Sequence, residues 1–208
     1  MSPNPAIPDS AVSRLATYLR VLRDPRVEGR QHVSSAYIGD RAGVSPDQVR
    51  KDLSHFGEVG RPGVGYDLEQ LIGHLARIMR LDRVQTAVLV GAGNLGSALV
   101  QYTGFGQRGF RIAAVFDIDP RRVGTNLGEV VVEHVDRLAP RVAELGATIG
   151  IIAVPRWACQ TVADAMGSSG LRAILNFAPA KIEAPEGVNV RSVDLARELE
   201  CLAYYLAG

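Results

Sequence analysis

Three glycines and one aspartate have the types and the spacing to do chemistry. Gly91, Gly93 and Gly96 form a G-x-G-x-x-G pattern within Thr86 to Gly96, TAVLVGAGNLG. An unbroken apolar run that ends at glycine reads as a buried parallel strand. In that setting Gly91 permits the tight turn, Gly93 lets a pyrophosphate approach the backbone, and Gly96 lets the next helix lie on the strand. Ala92 sits inside the turn. The helix begins near Asn94 and Leu95, and its free N–H groups would face phosphates. A second apolar run, Ile112 to Phe116, ends at Asp117. That is about 20 positions past Gly96, where a carboxylate accepting from adenosine ribose hydroxyls is expected. These residues predict a dinucleotide site and favour NAD(H), because Asp117 would repel the 2′-phosphate of NADP(H). Arg121 and Arg122 just beyond it pull the other way. Asp119, before Pro120, reads as a helix cap. The plain alternative is a glycine-rich turn with no ligand.

The elements around this pattern must position it. Strand and helix signals alternate from Thr86 onward: strands at Glu129–Val132, Thr148–Val154, Ala173–Asn176 and Asn189–Ser192, with helices between. This is the signature of a doubly wound α/β sheet, placed here at residues 84–192. Val154, Pro155, Asn176 and Phe177 follow the carboxyl ends of strands, the edge where such sheets bind ligands. They are expected to meet a nicotinamide; sharp turns around a buried aromatic are the alternative. The last segment, 193–208, is a helix apolar over more than one stripe (Leu195, Leu199, Leu202, Ala203, Tyr205 and Leu206). It reads as a dimer element exchanged between subunits, or else as a helix packed on its own domain.

Residues 1–83 have a different pattern. The lead before Pro8 reads as disordered, and a first helix from Asp9 or Ser10 turns Val12, Leu15, Leu19 and Leu22 to a core. A short helix after Ser34-Ser35 breaks at Gly43. A third starts with Ser45 as cap, Pro46 in the first turn and Gln48 three residues on. Val49, Leu53 and Phe56 face inward. Gln48, Arg50, Lys51, Ser54 and His55 are expected on the outer face. Four glycines between Gly57 and Gly65 mark a hairpin with Arg61 at its tip and Gly63 beside it. Helix, turn, helix and hairpin predict a winged helix-turn-helix that reads DNA. A small helical domain with a solvated, barely basic face is the alternative. A helix from Leu68 to Met79 completes this part.

Bulk properties exclude several classes. The 208 residues are 47% hydrophobic and 22% charged with formal net charge +1, an ordinary globular composition. No apolar run reaches the roughly 18 residues of a membrane span, and no secretory signal opens the chain. A cytoplasmic protein is expected. Cys159 and Cys201 are expected reduced and buried, a bridge between them being the alternative, with no metal-ligand spacing. A catalytic role is not expected: after the first 83 residues only one nucleotide-binding fold remains, with no substrate domain. His134 is the sole histidine after the glycine motif. A regulator bound to coenzyme A or another nucleotide, and a small NAD-dependent oxidoreductase, stay as alternatives.

The chain resembles the Rex family of redox-sensing transcriptional repressors over nearly its full length. The likeness is carried by Val49-Arg50-Lys51-Asp52-Leu53-Ser54-His55-Phe56-Gly57, Gly63-Val64-Gly65-Tyr66, Gly91 to Gly96, Phe116-Asp117-Ile118-Asp119, Leu175-Asn176-Phe177-Ala178-Pro179 and Val193-Asp194. It implies a homodimer on an inverted-repeat operator of double-stranded DNA, released when NADH replaces NAD⁺. It also implies a switch. Arg20 pairs with Asp194 in the DNA-competent state, and Tyr102 competes for Asp194 when NADH is bound. Pro62 and Leu195 depart from the family pattern, where a basic and an aromatic residue are common.

Overall fold

The computed structural model describes residues 9–27, 29–57 and 60–206. The expected lead before Pro8 lies outside them, as do Glu58 and Val59 of the predicted hairpin. The chain divides into two compact units, Met1–Arg83 and Val84–Gly208.

The first unit contains α1 (Asp9–Leu22), β1 (His32–Val33), α2 (Ser35–Ala42), α3 (Pro46–His55), β2 (Tyr66–Asp67) and α4 (Leu68–Ile78). Ser34 caps α2 by accepting from the Tyr37 N–H, and Ser45 caps α3 by accepting from the Gln48 N–H. Between these helices Gly43 takes a left-handed conformation. A Cβ on Gly39 would stand 2.6 Å from the Val44 carbonyl oxygen, so only glycine allows this close turn. β1 and β2 pair antiparallel, Val33 opposite Tyr66. The two-residue strand β1 escaped the sequence reading because it is too short to show a period. The core gathers Leu15, Tyr18, Leu19, Leu22, Ile38, Val49, Leu53, Leu71 and Leu75. Val12, expected inward, is 38% exposed, and Tyr18 is buried in the helix instead.

A buried carboxylate ties this unit together. Asp52, 2% exposed, accepts two hydrogen bonds from Arg14, at 2.6 and 2.8 Å. It accepts a third from the Tyr18 hydroxyl at 2.7 Å and a fourth from the Gln48 amide at 2.7 Å. Burial works against its charge, but the bonds from Arg14, Tyr18 and Gln48 outweigh that and hold its pKa below the usual range. Burial and the bond to Asp52 push the Tyr18 hydroxyl up. The network fastens α3 to α1. One turn further on, at the C-cap of α3, His74 Nε2 donates to the Phe56 carbonyl at 2.6 Å.

The second unit is a seven-stranded sheet: β3 (Gln85–Val90), β4 (Phe110–Asp117), β5 (Asn126–Leu127), β6 (Val130–His134), β7 (Ile149–Ile152), β8 (Ala173–Asn176) and β9 (Asn189–Ser192). The spatial order is β5-β6-β4-β3-β7-β8-β9. All neighbours are parallel except β5 with β6. Chain order reverses at β3, which has β4 on one side and β7 on the other, the crevice-forming switch point of a dinucleotide fold. β3 alternates between two cores. Val88 and Val90 join Phe116, Leu138, Val142, Ile152 and Met166 on one face, under α6 (Leu138–Leu145) and α7 (Cys159–Ser168). Ala87 and Leu89 join Val115, Val132, Ile151 and Leu99 on the other, under α5 (Asn94–Gln101). No helix follows Asp119. Its carboxylate accepts from the Arg121 N–H and holds a turn, and the short hairpin β5–β6 occupies that crossover.

The last helix, α8 (Leu195–Tyr204), has no buried residue. Leu195, Leu199, Leu202, Tyr204, Tyr205 and Leu206 are all exposed, which contradicts packing on its own domain. Cys159 is buried, but Cys201, on α8, is exposed, against expectation; both are free. No helix among the described residues is long and apolar enough to cross a membrane.

Removing the Asp52 side chain strands a guanidinium and a buried hydroxyl. Asp52→Ala is expected to lower stability by about 2–4 kcal/mol, and Tyr18→Phe by about 1 kcal/mol, in urea unfolding followed by circular dichroism. Because the folded pKa of Asp52 is depressed, its contribution is full above about pH 4. It fades as the pH falls further, and Asp52→Ala should flatten that acid limb.

Candidate dinucleotide site and nucleic-acid groove

The glycine turn lies where β3 ends beside β7. Gly91 has φ 109°, and a Cβ there would stand 2.4 Å from the Ala153 carbonyl oxygen. A Cβ on Gly96 would stand 1.9 Å from the Gly91 carbonyl oxygen, so α5 rests directly on the turn. Gly93 differs. Its φ is −73°, which any residue adopts, and a Cβ would meet nothing but the Arg122 guanidinium, at 3.2 Å. Neither packing nor conformation requires glycine there. The space above it suits an approaching phosphate, in front of the N–H groups at the start of α5. Asn94 and Leu95 are exposed on that first turn, and Ala92 is buried beneath it.

Asp117 ends β4, 8% exposed. Its Oδ2 accepts from the Ala92 N–H at 2.8 Å and from Arg122 at 3.3 Å; its Oδ1 accepts from the Asp119 N–H at 2.9 Å. Burial opposes the charge. The Asp119 and Ala92 N–H donors, with Arg122, overcome it and hold the pKa below the ordinary value. The acid is thus ionised and fixed to the glycine turn. An ionised carboxylate with a further lone pair on Oδ1 suits a ribose hydroxyl donor. The residues fit an adenine dinucleotide.

The nicotinamide-side residues divide. Val154 and Phe177 are half-buried, each packed against a different face of the sheet, and Pro155 is exposed at the strand end. Asn176 is a correction. Its side chain is fully buried, donating to the Ala178 and Ala180 carbonyls and Ser192 Oγ and accepting from the Ala178 N–H. It shapes the Phe177–Ala180 loop, and its side chain is closed off from solvent. Tyr102, 51% exposed, caps α5 with its ring edge-on to Phe105. Asp194 accepts from the Arg197 N–H as the cap of α8. Arg20, in the other unit, is exposed at the end of α1.

In the first unit one open groove is lined by Ser34, Ser35, Arg50, Lys51, Ser54, Arg61 and Gly63, with Gly60, Pro62, Val64, Gly65 and Tyr66. Seven of the ten residues expected at DNA therefore share one concave surface between α3 and the hairpin. Arg50 donates to Ser35 Oγ at 2.7 Å and pairs with Asp47. Ser54 donates to the Lys51 carbonyl, and Lys51 projects into solvent. Three residues fall outside the lining. Ser45 is the cap of α3, and His55 is exposed at its end. Gln48 is half-buried and turned to Asp52, so it is not on the open face as expected. Arg61 is not at the hairpin tip. It exchanges backbone hydrogen bonds with Gly65 at 2.8 and 2.9 Å, leaving Pro62, Gly63 and Val64 at the apex.

The sequence reading missed the link from Arg14 and Tyr18 to Asp52, and the place of Arg122. The i,i+4 spacing of Gln48 and Asp52 was a usable signal; a contact between α1 and α3 had none. Among the described residues no group of three or more His, Cys, Asp or Glu could hold a metal ion.

Comparison with known proteins gives two family matches, "CoA binding domain" over residues 82–180 and "Putative DNA-binding protein N-terminus" over residues 6–54. The redox-sensing transcriptional repressor Rex of Syntrophomonas wolfei is 46% identical, over 97% of this chain and 96% of that protein. Its namesake from Streptomyces coelicolor is 43% identical, over 96% of this chain and 77% of that protein. Among solved structures, RSP with β-NAD⁺ and operator DNA superposes with TM-score 0.90 at 33% identity, covering 98% of this chain and 94% of that one. RSP with β-NADH gives 0.84 at 32%, covering 98% and 95%. RSP is described as a Rex-family repressor.

The glycines separate fold from ligand. Gly93→Ala should leave the melting temperature within a degree or two and cut dinucleotide affinity by at least about tenfold, read by calorimetric titration. Gly96→Ala should lower both, because its Cβ displaces backbone.

Proposed function

Since the chain belongs to the Rex family of redox-sensing transcriptional repressors, we propose that it binds operator DNA through the α3 groove and is released when NADH binds the glycine turn. It is a repressor and not an enzyme. The observation that carries this is the pairing, in one chain, of a cation-lined groove with a glycine turn clasped by an ionised aspartate. RSP, a relative solved both with NAD⁺ on operator DNA and with NADH, supports the same reading. A repressor of chromosomal operators works in the cytoplasm.

Gly91, Ala92, Gly93 and the first turn of α5 hold the pyrophosphate, and Asp117 takes the adenosine ribose. Coenzyme A carries a 3′-phosphate at that ribose, which Asp117 disfavours; this is the reason to prefer NAD(H) despite the name of the matching domain family. Val154, Pro155 and Phe177 line the nicotinamide end. An apolar lining penalises the cationic ring of NAD⁺ through desolvation and tolerates the neutral ring of NADH. That difference supplies the unequal affinity for two states that a switch requires.

A second copy covers the bare apolar side of α8, in keeping with an inverted-repeat operator. In the dimer Arg20 pairs with Asp194 in the DNA-competent state, and Tyr102 takes Asp194 over when NADH binds. The paired α3 helices then leave the half-site separation of about 34–36 Å or a multiple of it. Lys51, Arg50 and Arg61 contact phosphates, with Ser34, Ser35, Ser54 and Gly63 along the same groove.

An operator gel shift titrated with NADH at fixed NAD⁺ is the direct test. The shifted band should fade as NADH rises; a band indifferent to NADH refutes the reading. Arg20→Ala should weaken operator binding while NADH binding survives. Lys51→Ala should weaken binding to all sequences and lower the salt slope by about 1, as measured by fluorescence anisotropy.

A further inference from the structure

Arg122 is a cation at the dinucleotide site that neither the glycine pattern nor Asp117 explains. Its neighbour Arg121 is committed elsewhere. Both oxygens of Asp119 bond the Arg121 guanidinium, at 2.8 to 3.2 Å, and its side chain is 88% exposed. That pairing draws the Asp119 carboxyl down to about 2. Arg122 turns the opposite way. Its Nη1 lies 3.3 Å from Asp117 Oδ2 and its Nε lies 3.8 Å from Asp119 Oδ2. The same Nη1 lies 3.2 Å from the point where a Cβ on Gly93 would stand. The guanidinium thus bridges the ribose acid and the phosphate approach. Its backbone is anchored: the N–H donates to the Asp119 carbonyl, and Thr125 Oγ1 donates to the Arg122 carbonyl at 2.6 Å. Its side chain remains 44% exposed and free to adjust.

An ionised aspartate beside an anion-binding turn repels the anion it helps to bind. A guanidinium between them offsets that repulsion, and its planar fork can serve a carboxylate and a phosphate together, which an ammonium cannot. We propose that Arg122 is a dinucleotide-binding residue that pairs with the adenosine-side phosphate above Gly93. Through it the chain sets an affinity common to NAD⁺ and NADH, whereas discrimination between them belongs to the lining at Val154, Pro155 and Phe177. The two forms differ only in the nicotinamide ring, and Arg122 stands in the turn between β4 and β5, beside Asp117 on the side of their shared adenosine half. The assignment rests on reading the glycine turn as an NAD(H) site.

The test is calorimetric titration of the full chain and its Arg122→Ala and Arg122→Lys variants with ADP-ribose, NAD⁺ and NADH at two salt concentrations. Arg122→Ala should weaken all three by one common factor of about tenfold or more. The NAD⁺-to-NADH affinity ratio should stay within about twofold, and the salt dependence should shrink. Arg122→Lys should recover part of the loss, with melting temperatures unchanged throughout. Equal or tighter binding by Arg122→Ala overturns the proposal, and so does a loss confined to one redox form. If the unaltered chain binds none of the three, the NAD(H) reading falls first and takes the assignment with it.

Discussion

The contact on which the second unit depends is between two pieces of backbone. The Gly91 carbonyl and the Gly96 Cα are so close that a side-chain carbon at Gly96 would overlap the oxygen. That approach seats α5 on the end of β3, brings its free N–H groups over the sheet edge, and leaves Gly93 open above. Asp117 locks the arrangement from the neighbouring strand by accepting from the Ala92 N–H. Every feature of the proposed site follows from those backbone positions, and side chains contribute mainly the charge that completes it.

The first unit is organised by a comparable device. Asp52 is buried at the base of α3 and stays ionised because Arg14, Tyr18 and Gln48 all donate to it. In each unit, then, a carboxylate removed from water is kept charged by several donors and fixes the element that meets a ligand. A charged group so held is costly to leave half-satisfied, so each network favours a single geometry. α3 is thereby held over its C-terminal half, by Asp52 to α1 and by His74 at Phe56, while its outer face keeps Arg50, Lys51 and Ser54 for the groove.

Much of this was legible beforehand because it rests on local rules. Caps at Ser34 and Ser45, the left-handed Gly43 and the apolar run into Gly91 need only neighbours within a turn or two. The errors share a cause, which is contact between residues far apart in sequence. Gln48 sits at a spacing that suits an outer face, but Asp52 and α1 draw it in. Asn176 stands at a strand end where ligands bind, yet the loop through Ala180 and Ser192 on β9 consume its amide. Glycine spacing puts Arg61 at the hairpin apex, but it does not say which residues pair, and Arg61 pairs with Gly65 below the apex. The apolar pattern of its helix predicts a buried Cys201, but nothing among the described residues covers that helix.

The sequence by itself determined the main helices and strands of the sheet, the glycine turn with its acid, and the membership in a family of repressors. These follow from periodicity, from the steric freedom of glycine and from residue identities. Only the tertiary structure decided which carboxylates are buried and charged, which polar side chains are spent on holding loops, and that Arg122 faces Gly93 while Arg121 faces solvent. Adjacent arginines are chemically alike. Their roles part only when the turn at Asp119 directs one guanidinium outward and the other back across the sheet edge.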